Sequence, residues 1–212
     1  KQPGAGWLQD CIPADERPRL RAAIARAIAS RSAFAFEHRV LRPDGSVAWV
    51  ASRAVPLLDD HGDILEWFGA QTDVTARVKA DQAFARLFEA APAPLLVLGT
   101  DAPRFTIRQV NSAWLAATMR TRDAILGRGI VEAYPDNPDG TGAGAAALLR
   151  ASLEQVLASR QSDRLPDLRY DVARPDGSVE ERWWRPVNAP VLDSDGMVEA
   201  ILHHADDVTA AC

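Results

Sequence analysis

The six residues Arg42-Pro43-Asp44-Gly45-Ser46-Val47 recur letter for letter as Arg174-Pro175-Asp176-Gly177-Ser178-Val179, and no other feature constrains the fold as much. Each copy leads into a β-rich run and a second turn, Asp60-His61-Gly62-Asp63 and then Ser194-Asp195-Gly196-Met197. Each ends on the same triplet, Asp73-Val74-Thr75 and Asp207-Val208-Thr209. A whole supersecondary unit is therefore written twice. The offset grows from 132 residues at the first motif to 134 at the last, which places two extra residues in the second copy, near Glu180-Glu181.

Pro-Asp-Gly is turn chemistry: proline presets φ, aspartate bonds the local backbone and glycine takes the left-handed position. Two strands must flank it. Before the first copy Phe34, Phe36, His38 and Val40 alternate with Ala35, Glu37, Arg39 and Leu41; after it Val47, Trp49, Ala51 and Val55 keep a period near two. The turn at Gly62 then leads into a third strand over 64–72. Each repeat thus reads as a helix followed by a three-stranded antiparallel meander.

The helix of the first repeat begins near Asp15-Glu16, with Asp15 as N-cap and Leu20, Ile24, Ala27 and Ile28 on one face. Its counterpart carries Leu149, Leu153, Val156 and Leu157, with Arg150 and Glu154 spaced for a surface ion pair. The second repeat has more in front of it. Strands are expected over 94–99 and 105–111, then short helices near 112–119 and 121–126 broken by Gly127 and Gly129, then a glycine-rich loop over 135–144 that reads as mobile surface. Between the repeats, residues 74–91 contain no proline or glycine. Ala80, Phe84, Leu87 and Ala91 form a seam there, facing either a partner helix or the segment's own domain. The fold class is α+β: a five-stranded antiparallel sheet with short flanking helices, preceded by a partial copy (helix plus three strands) and a helical linker.

Composition closes off several functions. The 212 residues carry a formal net charge of −5, so nothing draws the chain to nucleic acid or anionic lipid. With two cysteines, Cys11 and Cys212, and no apolar run long enough to cross a membrane, a cytoplasmic setting is expected, although a parent protein could be membrane-anchored. Lys1 in place of an initiator methionine reads as the start of a fragment.

Val110-Asn111-Ser112-Ala113-Trp114, Leu126-Gly127-Arg128, Arg174 to Ser178 and Asp207-Val208-Thr209 together resemble a PAS domain with its closing PAC half, and so do Trp7-Leu8, Pro13 to Glu16, Arg42 to Trp49, Trp67-Phe68-Gly69 and Asp73-Val74-Thr75. The resemblance implies a tandem PAS segment of a bacterial sensor histidine kinase. Residues 1–78 would be the later half of a first domain, and 79–212 a linker helix to about 91 and a near-complete second domain. It places Leu96, Leu98, Ile107, Trp114, Met119, Tyr134, Leu153, Tyr170 and Trp184 near a pocket for a possible small-molecule ligand; that most of them are plain core stands beside this. It also implies that Asp73, Thr75, Asp207 and Thr209, at the handover from last strand to outgoing helix, transmit a signal to an output domain of the same parent chain, with a homodimer formed through the linker helix or PAS surfaces. A ligand-free dimerisation or spacer module is the alternative.

The cofactor is left open. Gly127-Arg128-Gly129-Ile130 stands where flavin-binding relatives carry Gly-Arg-Asn-Cys, and neither long helix holds the histidine of haem-binding ones, so both routes are disfavoured. His203-His204-Ala205-Asp206-Asp207 looks like a metal cluster, but strand alternation splits it between two faces. Gly140-Thr141-Gly142-Ala143-Gly144 fits neither phosphate-binding pattern. No catalytic constellation can be assembled, so the chain is not expected to be an enzyme.

Overall fold

In the computed structural model, residues 6–137, 139–174 and 176–211 are described; Lys1, Pro175 and Cys212, named above, lie outside them, as do Pro138 in the glycine-rich loop and the side chains of Trp7 and Leu8. The chain forms two compact units, Lys1–Phe84 and Ala85–Cys212.

In the first unit helix α1 (Gly6–Cys11) and helix α2 (Arg17–Ser30) precede strands β1 (Phe34–Leu41), β2 (Val47–Leu58) and β3 (Ile64–Asp73), paired antiparallel in the order β1-β2-β3. The repeated turn closes as its residues dictate. Arg42 N–H donates to Ser46 O at 2.8 Å, Ser46 N–H donates to Asp44 Oδ1 at 2.8 Å, and Gly45 sits at φ +79°.

Two helical details differ from the sequence expectation. The N-cap is Glu16 and neither it nor Asp15 caps with its side chain, because Arg39 draws both carboxylates, Asp15 at 2.5 Å and Glu16 at 2.8 Å. On α2 the buried residues are Leu20, Ala23 and Ala27, while Ile28 is 50% exposed. The period of two on β2 holds, but Ala48, Val50 and Ser52 are its buried residues, not Val47, Trp49 and Val55. Register decides this: Val50 lies opposite His38 and Ser52 opposite Phe36, and buried His38 Nε2 meets Ser52 Oγ at 2.9 Å.

Helix α3 (Thr75–Ala90) follows. The second unit then builds a sheet in the order β5-β4-β11-β10-β6, from β4 (Leu95–Leu98), β5 (Ile107–Val110), β6 (Asp163–Arg164), β10 (Trp183–Leu192) and β11 (Val198–Asp207), with β7 (Leu168–Arg169) also paired to β10. The outermost of the five expected strands is thus split into β6 and β7. Pro166 stands between them and has no N–H for the ladder. The second copy of the repeated turn carries its own short hairpin, β8 (Val172–Ala173) with β9 (Val179–Glu180), separate from the main sheet. There Arg174 bonds Glu180 at 2.8 Å, one of the residues around which the second copy is longer.

Four helices cover the sheet: α4 (Ser112–Thr118), α5 (Arg122–Ile125), α6 (Ile130–Ala133) and α7 (Ala145–Ser159). The long one, α7, buries Ser152, Leu153 and Val156; Arg150 and Glu154 form no ion pair among the described residues. Two residues at the start of the glycine-rich loop bond the elements around it. Asp136 accepts from Gly144 N–H at 3.1 Å and Ala146 N–H at 2.8 Å, which caps α7, and Asn137 Oδ1 accepts from Asp171 N–H at 3.2 Å.

Candidate functional site

Asn111 begins the site. Fully buried, it uses all of its side-chain capacity: Oδ1 accepts from Leu95 N–H and Trp114 N–H, both at 3.0 Å, and Nδ2 donates to Ala93 O at 2.8 Å and Ala91 O at 3.3 Å. One residue therefore caps α4, closes the end of β4 and aims Trp114 into the core. Trp114 Nε1 donates to Tyr134 Oη at 2.7 Å. Burial pushes the Tyr134 phenol up from its ordinary pKa, so it stays protonated.

Between α7 and the sheet lies a cavity of about 80 Å³. Trp114, Tyr134, Tyr170, Trp184 and His203 line it, with Asp136 the one carboxylate among the described lining residues. It has room for roughly six water molecules. Buried Ile130 is also part of its lining.

Behind the cavity three buried side chains form a chain: Asn188 Nδ2 donates to Ser152 Oγ at 2.8 Å, and Asn188 Oδ1 lies 2.7 Å from His203 Nδ1. Since Asn188 donates through Nδ2, its Oδ1 must accept, which assigns the proton to His203 Nδ1. Burial, reinforced by neighbouring His204, holds the His203 pKa down at about 3, so the ring is neutral. His204 points the other way along the strand alternation. Its Nε2 is 2.9 Å from Asp206 Oδ1 but at an angle that makes no hydrogen bond, leaving that nitrogen buried without a hydrogen-bond partner.

Of the nine pocket candidates, Trp114, Tyr134, Tyr170 and Trp184 line the cavity. Leu96, Leu98, Ile107 and Leu153 are fully buried in the surrounding core, and Met119, the C-cap of α4 at φ +52°, packs on that core from outside. Sequence reading missed Thr118, Asp136, Leu149, Pro186 and Ala205 as lining residues, and gave His203 no place in the pocket. Alternation along β10 and β11 held a usable signal: Trp184, Pro186 and Asn188 share one side, as do His203, Ala205 and Asp207.

The closing triplets form the same clasp twice. In the first unit Asp73 Oδ1 accepts from Thr75 N–H at 2.8 Å, Thr75 Oγ1 accepts from Trp49 N–H at 2.9 Å, and Val74 N–H donates to Trp49 O at 2.9 Å. In the second, Asp207 Oδ1 accepts from Thr209 N–H at 3.0 Å, Thr209 Oγ1 accepts from Trp183 N–H at 3.0 Å, and Val208 N–H donates to Trp183 O at 2.8 Å. The arginine on each carboxylate comes from a different place: Arg42 of the repeated turn reaches Asp73 at 2.6 Å, whereas Arg182 at the root of β10 reaches Asp207 at 2.8 Å. Bonds to Thr75, then Arg42, hold the Asp73 pKa down to about 2. Burial raises that of Asp207, but bonds to Thr209 and the charge of Arg182 outweigh it and the net shift is downward.

An antiparallel sheet covered by helices, with a small, largely apolar cavity between them, defines a module of the α+β class. Two family profiles, each described as PAS fold, match residues 2–71 and residues 88–211. The chain belongs to the PAS family, in tandem, and PAS domains are sensory and signalling modules, generally without catalysis of their own. Among solved structures it is similar to the PAS domain of the fruit-fly ELK potassium channel (16% identity, 60% of this chain and 96% of that one, TM-score 0.46). It is also similar to a PAS domain from Colwellia psychrerythraea (11%, 62% and 98%, 0.47) and to a sensory box histidine kinase/response regulator from Burkholderia thailandensis (28%, 36% and 59%, 0.34). No curated protein matches the chain. Among the described residues no helix is long and apolar enough to cross a membrane.

Proposed function

We propose that the second unit senses a small molecule in its cavity and that β11 passes the response to whatever follows the Asp207–Thr209 clasp. The observation that carries this is shared geometry: His203 and Ala205 line the cavity, and Asp207 is the next residue on the same face of β11. Two residues of strand are about 7 Å. Trp184, another lining residue, lies opposite Asp207 in the β10–β11 register. A ligand that prefers one tilt of β11 therefore biases the clasp, which is a population shift between two packings. Asp73 and Thr75 repeat the clasp at the root of α3, which supports reading residues 1–78 and 79–212 as two signalling elements in series.

The output domain, in our reading a histidine kinase in the same cytoplasmic parent chain, is where the test is made. Asp207→Ala in the full-length parent should change signal output while leaving the fold in place, since the Asp207 side chain is one-third exposed. Unchanged output with only a lowered melting temperature rejects the coupling.

A second reading, a ligand-free dimerisation spacer, is favoured by α3, where Phe84 is 54% and Leu87 73% exposed. A second copy of the chain laid along this seam would cover both. On that reading Leu87→Glu turns a dimer into a monomer in sedimentation equilibrium; an unchanged oligomeric state removes it.

A further inference from the structure

The rings around the cavity are set at steep angles to one another. Tyr170 and Tyr134 stand 5.7 Å apart at 73°, Tyr134 and Trp114 5.8 Å apart at 78°, and Trp114 and His203 5.2 Å apart at 63°. With Trp184 they all line the same space, so it is bordered by aromatic rings set at several angles. Tyr and Trp faces carry the negative lobe of the ring quadrupole and attract cations, most strongly where water is excluded. Among the described lining residues Asp136 is the only charged side chain, and none is a lysine or arginine. Gly144 and Ala146 N–H groups hold that carboxylate in one place. The imidazole adds no positive charge: His203 donates through Nδ1 to Asn188 and is left with Nε2 as an acceptor.

We propose that this cavity, taken on the reading above as the sensory site, binds a compact alkylammonium cation, a methylated amine of roughly five to eight non-hydrogen atoms. A small anion would meet the Asp136 carboxylate, with no lysine or arginine among the described lining residues to offset it. A neutral hydrocarbon of the same shape gains the apolar contact but nothing from the ring faces or the carboxylate. An ammonium bearing methyl groups uses all three, because its methyls fit apolar walls while its charge is spread toward the rings.

The test compares choline with its uncharged isostere 3,3-dimethylbutan-1-ol, by titration calorimetry on the whole 212-residue chain. Choline should bind saturably at one site, roughly ten- to thirtyfold tighter than the alcohol. Tyr170→Leu, at a half-buried wall position, should weaken choline about tenfold. Asp136→Asn, which keeps one of the two oxygens that accept from Gly144 and Ala146 N–H, should weaken choline and leave the alcohol unchanged. Equal affinity for the two ligands overturns the cation assignment and leaves ligand sensing standing. So does failure of both to bind while native mass spectrometry finds another small molecule retained. Failure of both with nothing retained overturns the assignment and the sensory reading together.

Discussion

Acidification from pH 7 to pH 5 should weaken the second unit through His203, whose neutral ring is held by Asn188 beneath the cavity. The folded-state pKa is about 3, against 6.5 for an unperturbed imidazole. Between those values the unfolded chain binds a proton that the folded chain does not, so stability is complete above pH 6.5 and falls as the pH drops toward 3. The slope is about 1.4 kcal/mol per pH unit once the unfolded histidine is mostly protonated, which amounts to about 2 kcal/mol by pH 5. Carboxylates with lowered pKa values add to the loss only near and below pH 4, so the window from 6.5 to 5 separates the two effects. The assay is urea unfolding at pH 7 and pH 5, with the two units fitted as separate transitions, on the native chain and on His203→Gln. His203→Gln should be less stable at pH 7 yet nearly insensitive to this pH change. Equal pH dependence in both proteins, or a native chain that grows more stable on acidification, refutes the reasoning.

Tyr134→Phe removes the acceptor of Trp114 Nε1–H and leaves a buried indole donor unpaired, so it should cost about 1–3 kcal/mol by urea unfolding, although the ring itself is kept. Asn111→Ala should cost more, about 2–4 kcal/mol, because the lost α4 cap and the orphaned Leu95 N–H and Ala93 O fall together; hydrogen exchange should then show faster exchange at Leu95 and Trp114.

The turns, and the aspartate half of each clasp, were legible in the sequence because those bonds join residues two to four apart, whereas the bonds that tie Thr75 to Trp49 and Thr209 to Trp183 each span 26 residues. Arg42-Pro43-Asp44-Gly45-Ser46 contains the donor, the acceptor and the left-handed glycine of its own turn, and Asp73-Val74-Thr75 contains the carboxylate and the N–H that it bonds. Asn111 is similar, since the Trp114 N–H it caps lies three residues on. Such patterns survive in any chain context, which is why the repeat predicted matching geometry in both units.

What only the tertiary structure decided is which apolar residues face a cavity and which are packed shut. Leu96 and Trp114 both read as buried; the difference is that Leu96 meets neighbouring side chains on every side, whereas Trp114 borders open space whose far walls, Tyr170 and Trp184, come from 56 and 70 residues further along. The same holds for the inward face of β2, set by register against β1, and for Asn188, which meets Ser152 and His203 across a helix–sheet interface. Local hydrogen bonding is encoded by side chains a few residues apart. A cavity is the volume that distant side chains fail to fill, and no short stretch of sequence contains that information.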